Sequence, residues 1–225
     1  MKPAHFQAAL DGNVDESPFC NINDPNMSDI FYQVSPSGNS LLHAAASRGH
    51  VEIVELMARR FPLLILKKNR KGDTALHVAV RAGQLNTVIK LVECAKQIPS
   101  TSNTNESLMK MKNKGGNTVL HEALLLLVEP KKSVDTLVAV ARYLVTEDPE
   151  VSYHLNDITR KSPLCLAVES NNNDILDYIL KALPYDDGSL VECLEGESPV
   201  HVAIQRKKFG IYIFFTLFTW KVIFI

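Results

Sequence analysis

The sequence predicts an all-α solenoid of stacked helix-turn-helix units joined by short β-turn tips, on three observations. The first is a recurring stretch, Gly72-Asp73-Thr74-Ala75-Leu76-His77-Val78-Ala79, closed by Gly83. It returns at Gly38 to Ala45 with Gly49, at Gly116-Asn117-Thr118-Val119-Leu120-His121-Glu122-Ala123, and at Gly196-Glu197-Ser198-Pro199-Val200-His201-Val202-Ala203. A weaker copy, Ser162-Pro163-Leu164-Cys165-Leu166-Ala167, fills the gap, so the hydroxyl residues 40, 74, 118, 162 and 198 are spaced by 34, 44, 44 and 36. The second observation is an apolar stripe of helical period after each copy, as in Val51, Val54 and Met57 or Val88, Leu91 and Val92. The third is size: a unit of roughly 33 residues is too small to fold alone, so the units must stack.

Each element follows from its residues. Glycine at the start supplies a turn that a side chain would obstruct, and Ser or Thr two residues on is placed to cap a helix opening at Ala or Pro. Leu76 and its equivalents face inward, Ala79 lets a neighbouring helix lie close, and Gly49 or Gly83 ends the short helix in a left-handed conformation. Second helices are expected over 51–58, 85–95, 134–145 and 174–182, with Pro62, Pro99, Pro149 and Pro184 marking their ends.

A half repeat at 5–14 starts the stack, because Ala8-Ala9-Leu10-Asp11-Gly12-Asn13 matches the first-helix ending Ala45-Ala46-Ser47-Arg48-Gly49-His50. Residues 15–37, rich in Pro, Asn and Asp, carry a short apolar patch at Ile30, Phe31, Tyr32 and Val34 and are expected to form a loose, atypical second helix. One long spacing is expected to place a polar, mobile loop at Ser100 to Ser107; the other puts an insertion around Glu129-Pro130-Lys131-Lys132-Ser133. Asn171, Asn172 and Asn173 replace the usual glycine. The repeat domain is thus read as 1–208, with repeats starting near 38, 72, 116, 160 and 196, followed by an apolar tail over 209–225.

Composition excludes several classes of function. A net charge of −1 gives no overall pull toward nucleic acid, and the amino terminus leads into no apolar run of a secretory signal. Cysteines 20, 94, 165 and 193 lack zinc-like spacing and read as reduced thiols in the cytosol. His43, His77, His121 and His201 stand one per repeat, about 10 Å apart per step, whereas zinc needs ligands about 2 Å from one ion. They cannot share a metal, and neither metal nor cofactor is expected. No nucleophile elbow, phosphate loop or paired-histidine metalloprotease motif occurs, so no catalytic residues are assigned.

The turn tips offer more. Lys67, Lys68, Arg70 and Lys71, then Lys110, Lys112 and Lys114, then Arg160 and Lys161 put basic groups at equivalent positions, and Asp186, Asp187, Glu192, Glu195 and Glu197 oppose them in the last repeat. Asn69, Arg70, Lys71, Asp73, Asn113, Lys114, Asn117, Arg160 and Lys161 are the candidate contacts for a protein partner. Thr74, Leu76, His77, Ala79, Gly83, Thr118, His121, His43 and His201 are assigned to holding the repeat itself.

The repeated motif resembles the ankyrin repeat, over about residues 5–208. That resemblance implies a protein-binding scaffold without catalysis, in which the motif histidine bridges neighbouring turns; Cys165 departs from this. The half repeat, the polar insertion before Asn113-Lys114-Gly115-Gly116 and Thr146-Glu147-Asp148-Pro149-Glu150 resemble the plant membrane-anchored group typified by the accelerated-cell-death and increased-salt-tolerance proteins. That group carries a carboxy-terminal block of membrane helices with the PGG domain and is implicated in defence and stress signalling. The resemblance implies attachment at the cytosolic face of the plasma membrane, or a cytoplasmic location if the tail does not insert. The apolar run Ile211 to Trp220 is too short to span a bilayer, so the tail is expected to reflect a truncated or misspliced reading frame, or else a tail anchor with Lys221 snorkelling.

Overall fold

Three helices open on the same local chemistry. Ser40, Thr74 and Ser162 hold extended backbone (φ −78°, −81° and −87°), and each hydroxyl accepts the N–H of the residue three further on, His43, His77 or Cys165. The first two helices close on glycines in the left-handed region, Gly49 (φ 83°) and Gly83 (φ 72°), whose N–H groups return to Ala45 and Ala79. In the computed structural model, residues 3–15, 18–24, 28–98, 107–128, 134–170, 172–182 and 199–207 are described.

Among these, eleven α-helices and no strands occur: α1 Pro3–Asp11, α2 Ser28–Tyr32, α3 Leu41–Arg48, α4 Val51–Arg60, α5 Ala75–Ala82, α6 Leu85–Lys96, α7 Val119–Val128, α8 Val134–Glu147, α9 Pro163–Glu169, α10 Asn173–Ala182 and α11 Pro199–Gln205. Two rows result. In one, α1, α3, α5, α7, α9 and α11 lie side by side, each against its neighbours; in the other, α4, α6, α8 and α10 do the same. The all-α solenoid expected from the sequence is therefore the fold, and a single apolar core runs from Ala8 to Ala203 between the rows. Small residues permit it: Ala45, Ala79, Ala123, Ala167 and Ala203 are all fully buried where neighbouring helices meet.

The proline after a second helix does more than stop it. Pro62 and Pro149 each open a 3-10 turn, Pro62–Leu66 and Pro149–Ser152, that buries Leu64 and Ile65 or Val151 under the stack. The atypical segment after α1 consists of a 3-10 turn at Phe19–Asn21 and the short α2. Aromatic contact holds it: the Phe31 ring stacks on Phe61 at 4.9 Å and lies 6.2 Å from Phe19. Asn172 opens α10 by accepting the Ile175 N–H at 3.1 Å.

Residues 100–106 of the loop expected at 100–107, the insertion at 129–133, Asn171, Cys193, the acidic group at 186–197, the opening of the last repeat at 196–198, Lys208 and the tail at 209–225 lie outside the described residues. No described helix is long and apolar enough to cross a membrane. Cys94 and Cys165 are buried and Cys20 is exposed.

Candidate functional site: the turn tips

The motif histidines stitch each repeat to the next tip. His43 Nε2–H donates to the Asp73 carbonyl at 2.9 Å, His77 to the Asn117 carbonyl at 3.1 Å and His121 to the Lys161 carbonyl at 3.0 Å. Carbonyls only accept, so Nε2 carries the proton. On the other side of each ring, Nδ1 receives the N–H of Ser40, Thr74 or Thr118 at 3.2–3.3 Å, and their hydroxyls at 2.8–2.9 Å. Amide N–H groups only donate, so Nδ1 is bare and the ring neutral. Burial pushes all three imidazoles below their ordinary range against the pull of those carbonyl bonds, His121 to about 4. His201 is exposed on α11. Among the described residues no cluster of His, Cys, Asp and Glu could hold a metal ion.

A second ladder runs through asparagine. Asn69 Oδ1 accepts the N–H groups of Lys71 and Asp73 (2.8 and 3.0 Å), Asn113 Oδ1 those of Gly115 and Asn117 (2.9 and 3.1 Å), and Asn156 Oδ1 those of Ile158 and Thr159 (both 2.7 Å). Each amide then donates backward to the preceding tip: Asn69 Nδ2 to Asn39 Oδ1 at 2.8 Å, Asn113 Nδ2 to Asp73 Oδ1 at 3.0 Å, and Asn156 Nδ2 to Asn117 Oδ1. Each of these three tips is thus closed on itself and latched to the preceding one by one side chain. Main-chain bonds join the tips as well, Arg70 N–H to Ser37 O at 3.1 Å and Lys114 N–H to Lys71 O at 2.9 Å.

This approach is close enough to require glycine. At Gly72 (φ +79°) a Cβ would stand 2.7 Å from the Lys114 nitrogen, and at Gly116 (φ +74°) 2.8 Å from that of Asp157. Arg160 occupies the equivalent position in the fourth tip at φ 57°, an unusual conformation for a side-chain-bearing residue.

Between the second and third tips lies a charged knot. Arg81 of α5 reaches both carboxylate oxygens of Asp73, and its Nη1 lies 3.2 Å from Glu122 Oε2 on α7. Asn113 and Asn117 add bonds to Glu122 Oε1 at 2.7 and 3.1 Å. Burial raises the Asp73 carboxyl, but the Arg81 guanidinium and Asn113 more than offset it, holding Asp73 below the usual carboxylate range. Burial lowers Arg81, while Asp73 and Glu122 more than restore it.

The structure divides the expected contact residues into two groups. Asp73, expected at the exposed tip, is buried, because its carboxylate is the anion that Arg81 needs. Asn69, Asn113 and Asn117 are half-buried in the ladder, and Lys161 is paired with Glu169 at 2.7 Å. Arg70, Lys71, Lys114 and Arg160 are exposed, with no side-chain partner among the described residues. Arg81, Glu122 and Asn156 escaped sequence reasoning. Asn156 had a signal, since Asn69, Asn113 and Asn156 follow the repeat at spacings of 44 and 43; the charge on Glu122 within apolar α7 was another.

Comparison with known proteins agrees with this geometry. Residues 6–103 match the family model of ankyrin repeats. The chain is 29% identical over 192 residues to Protein ACCELERATED CELL DEATH 6 of Arabidopsis thaliana, an alignment covering 79% of this chain and 27% of that protein. It is 34% identical over 89 residues to the nuclear factor NF-kappa-B p105 subunit of Mus musculus, covering 39% of this chain and 8% of the other. The chain therefore spans about a quarter or less of these relatives. Among solved structures, the ankyrin repeat domain of Bcl-3 superposes with a TM-score of 0.69 at 20% identity, covering 92% of this chain and 81% of that one.

Proposed function

We propose that this chain, whose residues 6–103 match the ankyrin-repeat model, holds a partner protein across the exposed tips of its stack and does so without catalysis. One observation carries the reading: the apolar faces of both helix rows are consumed by stacking, while Arg70, Lys71, Lys114 and Arg160 remain exposed in order along the tips. A rim of this kind sets association rate and partner choice more than affinity. The wider role that fits best is defence or stress signalling at a plant membrane, supported by the likeness to Protein ACCELERATED CELL DEATH 6.

Site-specific cross-linking tests the surface. A photo-reactive benzoylphenylalanine in place of Lys114 should form adducts with a partner in plant extract, whereas the same group in place of Arg59 on α4 should not. Adducts from Arg59 alone would move the interface to the helix surface. The membrane role is read by fractionating plant cells that express the full chain: recovery in a salt-resistant membrane pellet supports it, and a wholly soluble distribution supports a cytosolic scaffold instead.

A further inference from the structure

We infer that the tip row reads an acidic, extended polypeptide segment with one carboxylate at every third residue, an inference that rests on the tips being the partner surface. The sorting of the cations carries it. Lys67 donates to the Tyr32 carbonyl and Lys68 to the Lys112 carbonyl; Lys110 is paired with Asp148 and Glu150, Lys112 with Asp157, and Lys161 with Glu169. Arg70 and Lys71 in the second tip, Lys114 in the third and Arg160 in the fourth are left over, exposed and without a side-chain partner among the described residues. The carboxylates of the same tips cannot neutralise them, because Asp73 is buried against Arg81 and Asp157 is engaged by Lys112. Each of three successive tips thus carries at least one uncommitted cation, Arg70 and Lys114 at the same position of their tips and Arg160 two positions further on, a charge pattern awaiting an anionic partner.

The spacing selects the shape of that partner. The main-chain bonds from Arg70 to Ser37 and from Lys114 to Lys71 set the tips edge to edge. Adjacent tips step with the helix pairs that carry them, about 10 Å at a time, so Arg70 and Lys114, at the same position of adjacent tips, recur at about that distance, and the long Arg160 side chain continues the row. A polyproline-type segment has three residues per turn and rises about 3.1 Å per residue, so every third side chain returns to one face after about 9 Å. A β-strand places those same side chains on opposite faces. An acidic helix could match the distance at every seventh residue, but helices dock by burying an apolar face in a groove, and the tips form a ridge. At the end of the row Ile158, 69% exposed, offers an apolar contact next to the last cation. The segment should accordingly carry an apolar residue beside its terminal acid.

The test uses the full chain and a fluorescein-labelled peptide, Leu-Pro-Glu-Pro-Pro-Glu-Pro-Pro-Glu-Pro-Leu, followed by anisotropy at low salt. It should bind roughly tenfold more tightly than an isomer with its three Glu contiguous, since each exposed pair lost costs only part of a decade. Arg70→Glu with Lys114→Glu should lower that affinity by roughly tenfold and flatten its salt dependence without moving the melting temperature. Ile158→Ser should weaken the spaced peptide alone. Equal binding of the two isomers, tighter binding of a helical peptide with Glu at every seventh residue, binding only to phosphatidylserine vesicles, or an unaffected double variant would each overturn the inference. Partner adducts at Lys114 together with any of these results would leave the tip interface standing and remove only its acidic specificity.

Discussion

At the scale of single residues, Gly72 and Gly83 have the same left-handed backbone but different surroundings. A Cβ on Gly83 meets only Thr136 Cγ2 at 3.7 Å, whereas on Gly72 it meets the Lys114 main chain at 2.7 Å. Gly83→Ala should therefore cost about 1 kcal/mol, the conformational penalty alone. Gly72→Ala should cost at least about 2 kcal/mol, because the neighbouring tip must move as well. Urea denaturation of the two variants checks the order; equal costs would mean that the tips are not in contact in solution. The histidines make a second prediction. Their folded pKa values lie below the unfolded value of 6.5, so between the two the unfolded chain binds more protons and stability falls with falling pH. Their contribution is complete above pH 6.5 and is lost as pH drops toward about 4, the value for His121. Midway through that window, near pH 5, the His121 share is steepest, at about 1.2 kcal/mol per pH unit. His121→Gln should be less stable at pH 7 yet show a shallower decline between pH 6.5 and 4 in the urea midpoint. An unchanged slope would place the titration elsewhere.

At the scale of elements, the knot of Asp73, Arg81 and Glu122 joins α5, its own tip and α7. Only 1% of the Asp73 side chain is exposed, against 33% for Arg81, so the two partners are unequal. Asp73→Ala takes one acceptor from the half-buried Asn113 amide and leaves the guanidinium with Glu122 alone, and should cost about 2–3 kcal/mol. Arg81→Ala should cost less, since part of its charge already faces water. In the double variant the coupling should be at least about 1 kcal/mol, measured by a denaturation cycle. Strict additivity would mean that the ion pair is incidental and that the Asn113 bond alone justifies Asp73. The knot also accounts for what sequence reading missed at this scale. Repeat comparison finds residues that recur, and Arg81 and Glu122 do not: the positions of Glu122 in neighbouring repeats are Val78 and Leu166, and those of Arg81 are Ser47 and Leu125.

At the scale of the molecule, each helix pair touches only its neighbours, so stability should propagate from pair to pair. Hydrogen exchange read by mass spectrometry should find the slowest amides in α5 and α7 and progressively faster exchange toward α1 and α11. Uniform protection would show that the stack melts as a single unit. The helix starts, helix ends and two-row architecture were legible in the sequence because they depend on local chemistry that repeats: a hydroxyl cap, a left-handed glycine, an apolar stripe, a small residue at each helix contact. Pro62 and Pro149 marked the helix ends, but not the 3-10 turns that they open. The fate of the tip residues was not legible. Asn69, Arg70, Lys71 and Asp73 are adjacent and equally polar, yet two point to solvent, one closes the turn and one is buried against Arg81. Which side chain does which is decided by the neighbouring repeat, 30 to 44 residues away along the chain, through close approaches at Gly72 and Gly116 that no local pattern encodes.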